Sequence, residues 1–210
     1  MTEIIPAVLP GSWSELEEGL AHLRGVAPLV QVDVTESDLF AGQDAMPLWE
    51  EFDFEFDLMV PAPDIEVCVA LGASRIVLHA RYSAALGAVQ TLQNKRSGEF
   101  PIAVGVALQT HDAVEVLLPF AGLYDYVQVM GIDHEGVQGE PPDPHGADVA
   151  LVKALRAQYP DLTIQVDGAV APRVRQLVQA GANRLVVGSA IMHAPDPRAT
   201  LKALYTEATA

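Results

Sequence analysis

The chain repeats a short apolar run followed by a helix-like segment about eight times, and this repeat constrains its fold more than any other feature. The apolar runs begin near positions 4, 29, 54, 75, 101, 125, 162 and 184, mostly 21 to 26 residues apart. Near-continuous Val, Ile and Leu is typical of parallel strands that helices cover on both faces. The spacing therefore predicts an α/β fold, a (β/α)8 TIM barrel in a single domain over residues 1–210, rather than an open doubly wound sheet.

Composition and local signals exclude several classes of partner. The formal net charge of −16 argues against binding to nucleic acid or to an anionic membrane surface. No apolar run approaches the ~20 residues that span a bilayer, and no signal peptide is visible, so we expect a cytoplasmic protein. Cys68 is the only cysteine, which excludes an intrachain disulfide and a cysteine zinc cluster. No Gly-x-Gly-x-x-Gly follows the first strand, so we expect no nucleotide cofactor.

Three aspartates stand near the ends of predicted strands, where barrels of this type carry their active sites. They are Asp33, Asp57 and Asp167, and Gln31 points to the same side of its strand as Asp33. Three carboxylates at one end of a narrow barrel repel one another unless a divalent cation neutralises them or some have a raised pKa. Either arrangement gives acid–base chemistry near neutral pH. The alternative is that each aspartate only caps a helix or binds loop amides.

Small residues at the ends of the seventh and eighth strands are candidates for binding phosphate. Gly168 and Ala169 follow one strand, and Gly188 and Ser189 follow the other, where backbone N–H groups could approach an anion. The alternative is that these glycines only relieve tight turns. Arg81 follows the fourth strand and either reaches a phosphate or carboxylate or pairs with a loop acid.

The longest irregular stretch, residues 131–146, follows the sixth strand and is rich in glycine, proline and acidic residues. A loop of this length in a compact domain is usually functional or mobile. We expect Glu135 and Glu140 to belong to a solvated lid rather than to a ligand set. His79, at the end of the fourth strand, is more typical of a hydrogen-bonded structural histidine than of a ligand.

Six short motifs stand in order along nearly the whole chain, at Ile5–Leu9, Val30–Glu36, Phe56–Val60, Gly105–Leu108, Gln165–Ala169 and Val187–Ile191. Together they resemble the motifs of the ribulose-phosphate 3-epimerase family within the ribulose-phosphate-binding barrels. They are similar to family motifs such as His-Val-Asp-Val-Met-Asp, Val-His-Leu-Met-Val, Glu-Val-Asp-Gly-Gly and Ala-Gly-Ser-Ala-Ile. No single motif is decisive, but six in the right order are fairly specific.

The resemblance implies two aspartates that act as acid and base on opposite faces of C3 of a sugar, and a divalent metal held by them and by two histidines. Asp33 and Asp167 match the acid–base pair, whereas Gln31 and Asp57 stand where the family has histidines. Carboxylate and amide oxygens suit magnesium or manganese better than zinc or iron. We therefore predict a metal site for a harder ion, formed by these four residues.

Other positions depart from the resembled pattern. The family's glycine-rich loop after the sixth strand is altered to Gly136-Val-Gln-Gly139, which leaves Gly136 and Gly139 as candidates for substrate binding. Related phosphate-binding decarboxylases carry Asp-x-Lys on the third strand, but here Met59 replaces the lysine, which argues against that chemistry.

Two hypotheses follow. The first is an epimerase-like isomerase of carbohydrate metabolism that acts on ribulose 5-phosphate or a related phosphorylated ketose. The second is a non-catalytic or re-purposed barrel that binds a phosphorylated small molecule after losing the epimerase metal site. The sequence leaves open whether catalysis survives, which metal is bound and whether the chain forms a homo-oligomer.

Overall fold

Eight parallel strands close into a barrel in the computed structural model of this chain, which describes residues 2–95, 102–137 and 139–210. The strands follow one another around the barrel in sequence order, and the last pairs with the first. They are β1 (Glu3–Val8), β2 (Leu29–Val34), β3 (Asp53–Leu58), β4 (Ala73–His79), β5 (Ala103–Leu108), β6 (Tyr126–Met130), β7 (Thr163–Asp167) and β8 (Arg184–Val187). This topology confirms the (β/α)8 barrel that the spacing of apolar runs predicts.

Helices follow most of the strands and cover the outside of the barrel. They are α1 (Trp13–His22), α2 (Ile65–Ala70), α3 (Ala85–Lys95), α4 (Ala147–Gln158), α5 (Val174–Ala180), α6 (Ser189–Met192) and α7 (Pro197–Thr209). Ser12, Asp64 and Asp196 cap α1, α2 and α7, each accepting a hydrogen bond from a backbone N–H of the first turn. Among the described residues, no helix has both the length and the apolar character needed to cross a bilayer.

Three helix predictions differ from the structure. The helix expected from Thr110 or Asp112 is a 3₁₀ segment over Val114–Phe120, and Pro119 within it supplies no N–H for an α-helical hydrogen bond. The helix predicted over residues 83–97 begins at Ala85, and its predicted end, at residue 97, lies outside the described residues. The helix predicted from Pro172 begins as a 3₁₀ turn over Ala171–Arg173.

Strand residues alternate between two buried environments, because successive side chains point to opposite faces of the sheet. Outward-facing residues such as Val32 and Phe56 belong to one large apolar core between the sheet and the helices. Inward-facing residues include fully buried polar side chains, which are Gln31, Glu55, Asp57, Gln128 and Gln165. The apolar core thus lies outside the barrel, while much of the barrel interior is polar.

Candidate functional site

Asp33, Asp57 and Asp167 meet at the C-terminal ends of β2, β3 and β7. Strands β2 and β3 pair in register, so that Asp33 lies opposite Asp57. One carboxylate oxygen from each aspartate lies within 4.8 Å of those of the other two. We call these three residues the carboxylate cluster.

Gln31 joins the two aspartates predicted to act as acid and base. Its Nε2 donates hydrogen bonds to Oδ1 of Asp33 at 2.8 Å and to Oδ2 of Asp167 at 3.2 Å. Its Oε1 accepts a hydrogen bond from Gln165 at 3.2 Å. Gln31 therefore presents its amide nitrogen to the cluster, and it could offer oxygen to a metal only after its amide turned over.

Asp57 lies below the other two aspartates and is held on both oxygens. Oδ1 lies 2.7 Å from Nε2 of His79, and Oδ2 accepts a hydrogen bond from Gln128 at 2.7 Å. The sequence does not single out Gln128 as a site residue. Its side chain faces inward two residues before Met130, the last residue of β6, as that of Gln31 does two residues before Asp33 on β2. Only this position near the strand end could have indicated its role.

A layer of amide side chains supports the cluster from deeper in the barrel. Gln165 Nε2 lies 2.7 Å from Oε1 of Gln128 and 2.6 Å from Oε1 of Glu55. The hydroxyl of Tyr126 donates to the other oxygen of Glu55 at 2.9 Å. These bonds satisfy most of the buried polar groups of the layer; among the described residues, Oε1 of Gln165 has no hydrogen-bond partner.

Glu135, in the loop after β6, contacts the cluster through His79. Its Oε1 lies 2.6 Å from Nδ1 of His79 and also accepts a hydrogen bond from Gln109, while Oε2 pairs with Arg81 at 2.5 Å. The side chain of Glu135 is only 2% exposed, so the prediction that it is solvated is wrong. The loop folds back over the ends of β4 and β5, which buries this carboxylate against two basic side chains.

Burial and charge shift the pKa values of these groups. Burial, followed by the charges of Asp167 and Asp57, raises the pKa of Asp33 well above its usual value. Burial and then the charge of Asp57 raise the pKa of Asp167 to about 7. Burial opposes the charged form of His79, but Asp57 and Glu135 raise its pKa to about 10. At neutral pH, His79 is therefore a cation that donates to both carboxylates.

A cavity of about 340 Å³ opens above the carboxylate cluster, a size suited to a small-molecule ligand. Asp33 and Asp167 line it, as do the segments Gly168–Ala169 and Gly188–Ser189, which we call the β7 and β8 loops. The loop after β6 contributes the remaining predicted residues, which are Gly136 and Gly139, together with Glu140.

Three predicted site residues are absent from the described lining of the cavity. Gln31 and Asp57 are fully buried beneath the cavity rather than on its described surface. Arg81 is also absent from the described lining, and its guanidinium pairs with Glu135, one of the two alternatives that the sequence left open. Its role in binding phosphate stays a prediction.

The family model and the curated relatives that match this chain point to the same family, and the solved structures share its fold. The model of the ribulose-phosphate 3 epimerase family matches residues 3–192. A ribulose-phosphate 3-epimerase of Schizosaccharomyces pombe is 30% identical, covering 96% of this chain and 92% of that protein. One from Aquifex aeolicus is 26% identical, covering 97% and 96%. The structure of 3-hexulose-6-phosphate synthase from Salmonella typhimurium superposes with a TM-score of 0.71 at 15% identity over 99% of both chains, which shows a shared fold.

Proposed function

Since this chain belongs to the ribulose-phosphate 3-epimerase family, we propose that it epimerises ribulose 5-phosphate or a related phosphorylated ketose at the carbon next to the carbonyl. The observation that carries this proposal is the meeting of Asp33 and Asp167 at one cavity, joined by the amide of Gln31. A sugar-phosphate epimerase-like function follows from the family; the two-aspartate mechanism and the substrate are our proposal.

Epimerisation needs one carboxylate that takes a proton and one that gives a proton. In the proposed reaction, Asp167 removes the proton from C3, the C–H electrons pass toward the C2 carbonyl, and Asp33 returns a proton to the opposite face of C3. The reverse reaction exchanges the two roles. The raised pKa values support this assignment, because a pKa of about 7 lets Asp167 both take and give a proton near neutral pH, and burial with the neighbouring carboxylates shifts Asp33 toward its protonated form.

The carboxylate cluster fits a hard divalent cation. Carboxylate oxygens from three residues converge within 4.8 Å, and the imidazole of His79 is already engaged by Asp57 and Glu135. Oxygen ligands of this kind suit magnesium or manganese. Asp33, Asp57 and Asp167 would hold the ion, with Gln31 as the predicted fourth ligand. When bound, the ion would supply positive charge where the substrate oxygens become negative.

The β7 and β8 loops are the proposed site for the phosphate group. Gly168, Ala169, Gly188 and Ser189 line the same cavity as the two aspartates. Backbone N–H groups can bind an anion without a basic side chain, which suits a chain whose net charge is −16. Gly136 and Gly139 would cover the substrate from the loop after β6.

One observation favours a second function, binding of a phosphorylated metabolite without turnover. Asp57 is fully buried, and both of its oxygens are engaged by His79 and Gln128, so it is held without a metal. A barrel that kept the phosphate site and stabilised its carboxylates internally could bind such a ligand and leave it unchanged.

The deciding experiment follows D-ribulose 5-phosphate in D₂O by NMR, with chelator-treated protein and then with added magnesium or manganese. Manganese broadens resonances, so that sample is chelated before the spectrum is recorded. We expect solvent deuterium to enter at C3, and the variants Asp33→Asn and Asp167→Asn to abolish this exchange. Asp161→Asn, an exposed change before β7, is the matched control.

Absence of exchange with either ion would refute the substrate assignment, and phosphate binding without exchange would support the metabolite-binding function. The cytoplasmic location and the homo-oligomeric state stay predictions, to be tested by cell fractionation and by light scattering.

A further inference from the structure

Arg173, just before α5, holds the backbone of the β7 loop at two points. Its Nε donates to the carbonyl oxygen of Ala169 at 3.1 Å, and a terminal nitrogen donates to that of Gly168 at 3.3 Å. The other terminal nitrogen donates to Oδ2 of Asp148 at 2.6 Å. Asp148 lies in the first turn of α4, so one guanidinium ties the loop to that helix.

We propose that Arg173 is a positioning residue for phosphate binding, which turns the N–H groups of the β7 loop toward the cavity by holding the loop's carbonyl groups. This inference rests on the proposed function, in which the β7 loop binds the phosphate of the substrate. Arg173 itself is not among the described residues that line the cavity.

When Arg173 holds the two carbonyl groups, it also sets the direction of the N–H group that follows each of them in the chain. In a trans peptide, the C=O of one residue and the N–H of the next point in opposite directions. With the carbonyls of Gly168 and Ala169 on Arg173, the N–H groups of Ala169 and Val170 point away from it, and these residues line the cavity. Within the described part of the chain, these two N–H groups have no protein acceptor. They remain available to an anion.

The conformation of the loop explains why it needs this support. Ala169 has a φ of 49°, in the left-handed region that alanine rarely adopts. The resembled family motif has glycine at this position, for which the same conformation carries no side-chain penalty. The two hydrogen bonds from Arg173 stabilise the backbone on either side of the strained residue.

Gly131, directly after β6, lies close to both the Gly168 carbonyl and Arg173. A Cβ atom at this position would lie 2.2 Å from the carbonyl oxygen of Gly168 and 2.8 Å from a terminal nitrogen of Arg173. Only glycine therefore lets the chain after β6 approach the β7 loop so closely. A side chain at position 131 would displace either the carbonyl or the guanidinium that binds it.

Asp148 fixes the orientation of Arg173 and depends on it for charge compensation. Its carboxylate is fully buried, and among the described residues its second oxygen has no hydrogen-bond partner. Removal of Arg173 alone would leave an unpaired buried charge and could unfold the protein. The test therefore uses the double variant Arg173→Gln/Asp148→Asn, which removes both charges together.

The experiment measures binding of inorganic phosphate by ³¹P NMR in chelated buffer, so that it requires neither turnover nor metal. We expect the double variant to bind phosphate about tenfold more weakly than the wild type, a change of about 1.4 kcal/mol. Arg175→Gln, which removes one charge from the exposed face of α5, should change the affinity less than about twofold. Thermal unfolding monitored by circular dichroism checks that each variant is folded.

A rescue variant separates positioning from a general loss of stability. Ala169→Gly added to the double variant should restore most of the phosphate affinity, because glycine adopts the left-handed conformation without support. If Ala169→Gly does not restore the phosphate affinity that the double variant loses, the positioning role of Arg173 is wrong. It is also wrong if the double variant binds phosphate as tightly as the wild type, although the proposed phosphate site then remains supported. If the wild type fails to bind phosphate, the proposed phosphate site fails and this inference fails with it.

Discussion

The carboxylate cluster and the β7 and β8 loops line one cavity but are built differently. The cluster consists of charged side chains that other side chains hold in place, chiefly Gln31, His79 and Gln128. The loops present backbone atoms, whose positions depend on φ and ψ and on the carbonyl contacts of Arg173. A single substitution can thus change the chemical groups of the cluster. The loops keep their backbone N–H and C=O groups after a substitution, provided that their conformation does not change.

The departures from the resembled family motifs at the cluster and at the β7 loop follow this difference. Those at predicted metal ligands, Gln31 and Asp57, are side-chain replacements beside or within the cluster. At the loops, the replacement of glycine by Ala169 keeps every backbone donor. We therefore expect the proposed phosphate site at the β7 and β8 loops to tolerate sequence change better than the carboxylate cluster does, and the following predictions test that expectation.

The largest expected effect is the loss of proton transfer without loss of phosphate binding. Asp167→Asn should lower the rate of deuterium exchange at C3 by about 10³-fold, within the range typical of a lost general acid or base. Because the proposed phosphate site consists of backbone N–H groups, the affinity for inorganic phosphate should change less than about twofold. If the exchange rate and the phosphate affinity fell together, the carboxylate cluster and the phosphate site would not be independent.

The next effect concerns the stability of the cluster. His79→Gln should lower the free energy of unfolding by about 3 kcal/mol, because it leaves Asp57 as a buried carboxylate without its cation and leaves Glu135 with Arg81 alone. Urea unfolding monitored by circular dichroism measures this change. His193→Gln, at an exposed position, is the control and should shift stability by about 0.5 kcal/mol or less. Similar losses in the two variants would contradict the role assigned to His79.

The pH dependence of stability provides a third comparison. The pKa of Asp167 is raised to about 7, so the folded state binds this proton more tightly than the unfolded state, and the resulting stabilisation is lost as the pH rises from about 4 through 7. The raised pKa of His79, about 10, adds stability below about pH 6.5 that is lost as the pH rises through 10.

In metal-free buffer, the Tm should therefore fall between about pH 5 and 8. Asp167→Asn should flatten this fall, and magnesium should raise the Tm more at the higher pH, where the carboxylates are ionised. A Tm independent of pH in the wild type would show that the cluster carries no such linkage.

The smallest effect is expected at Arg81. Its side chain is 39% exposed, but its partner Glu135 is buried and keeps His79 as a second cation, so Arg81→Gln should lower the free energy of unfolding by about 1 to 2 kcal/mol, less than His79→Gln does. The affinity for inorganic phosphate should change less than about twofold, since the guanidinium lies outside the described cavity lining. A tenfold weaker affinity would instead establish Arg81 as a phosphate ligand. The phosphate site would then include a side chain as well as the backbone of the β7 and β8 loops.

The sequence predicts the barrel because its strands repeat at regular spacing, and the observed strands begin within two residues of the predicted positions. It also predicted that Asp33 and Asp167 share a cavity, since the ends of parallel strands meet at one face. The register of β2 against β3 then places Asp57 beside them.

Other features depend on how loops fold, which local patterns do not encode. The sequence around Glu135 is acidic and glycine-rich, as in a solvated loop, and nothing in it indicates the contact with His79, 56 residues away. Arg173 stands in a segment that reads as the start of an ordinary helix. Its contact with Asp148 depends on the packing of α4 beside α5, which is a property of the assembled barrel.

The separation of the apolar core from the barrel interior also has an evolutionary consequence. Because the large core lies between sheet and helices, most of the apolar burial that stabilises the fold is independent of the inward-facing residues. Natural selection can therefore exchange polar groups inside the barrel without rebuilding the apolar core, provided that each exchange leaves the remaining buried charges paired. Such a molecule can acquire new chemistry on an unchanged apolar scaffold.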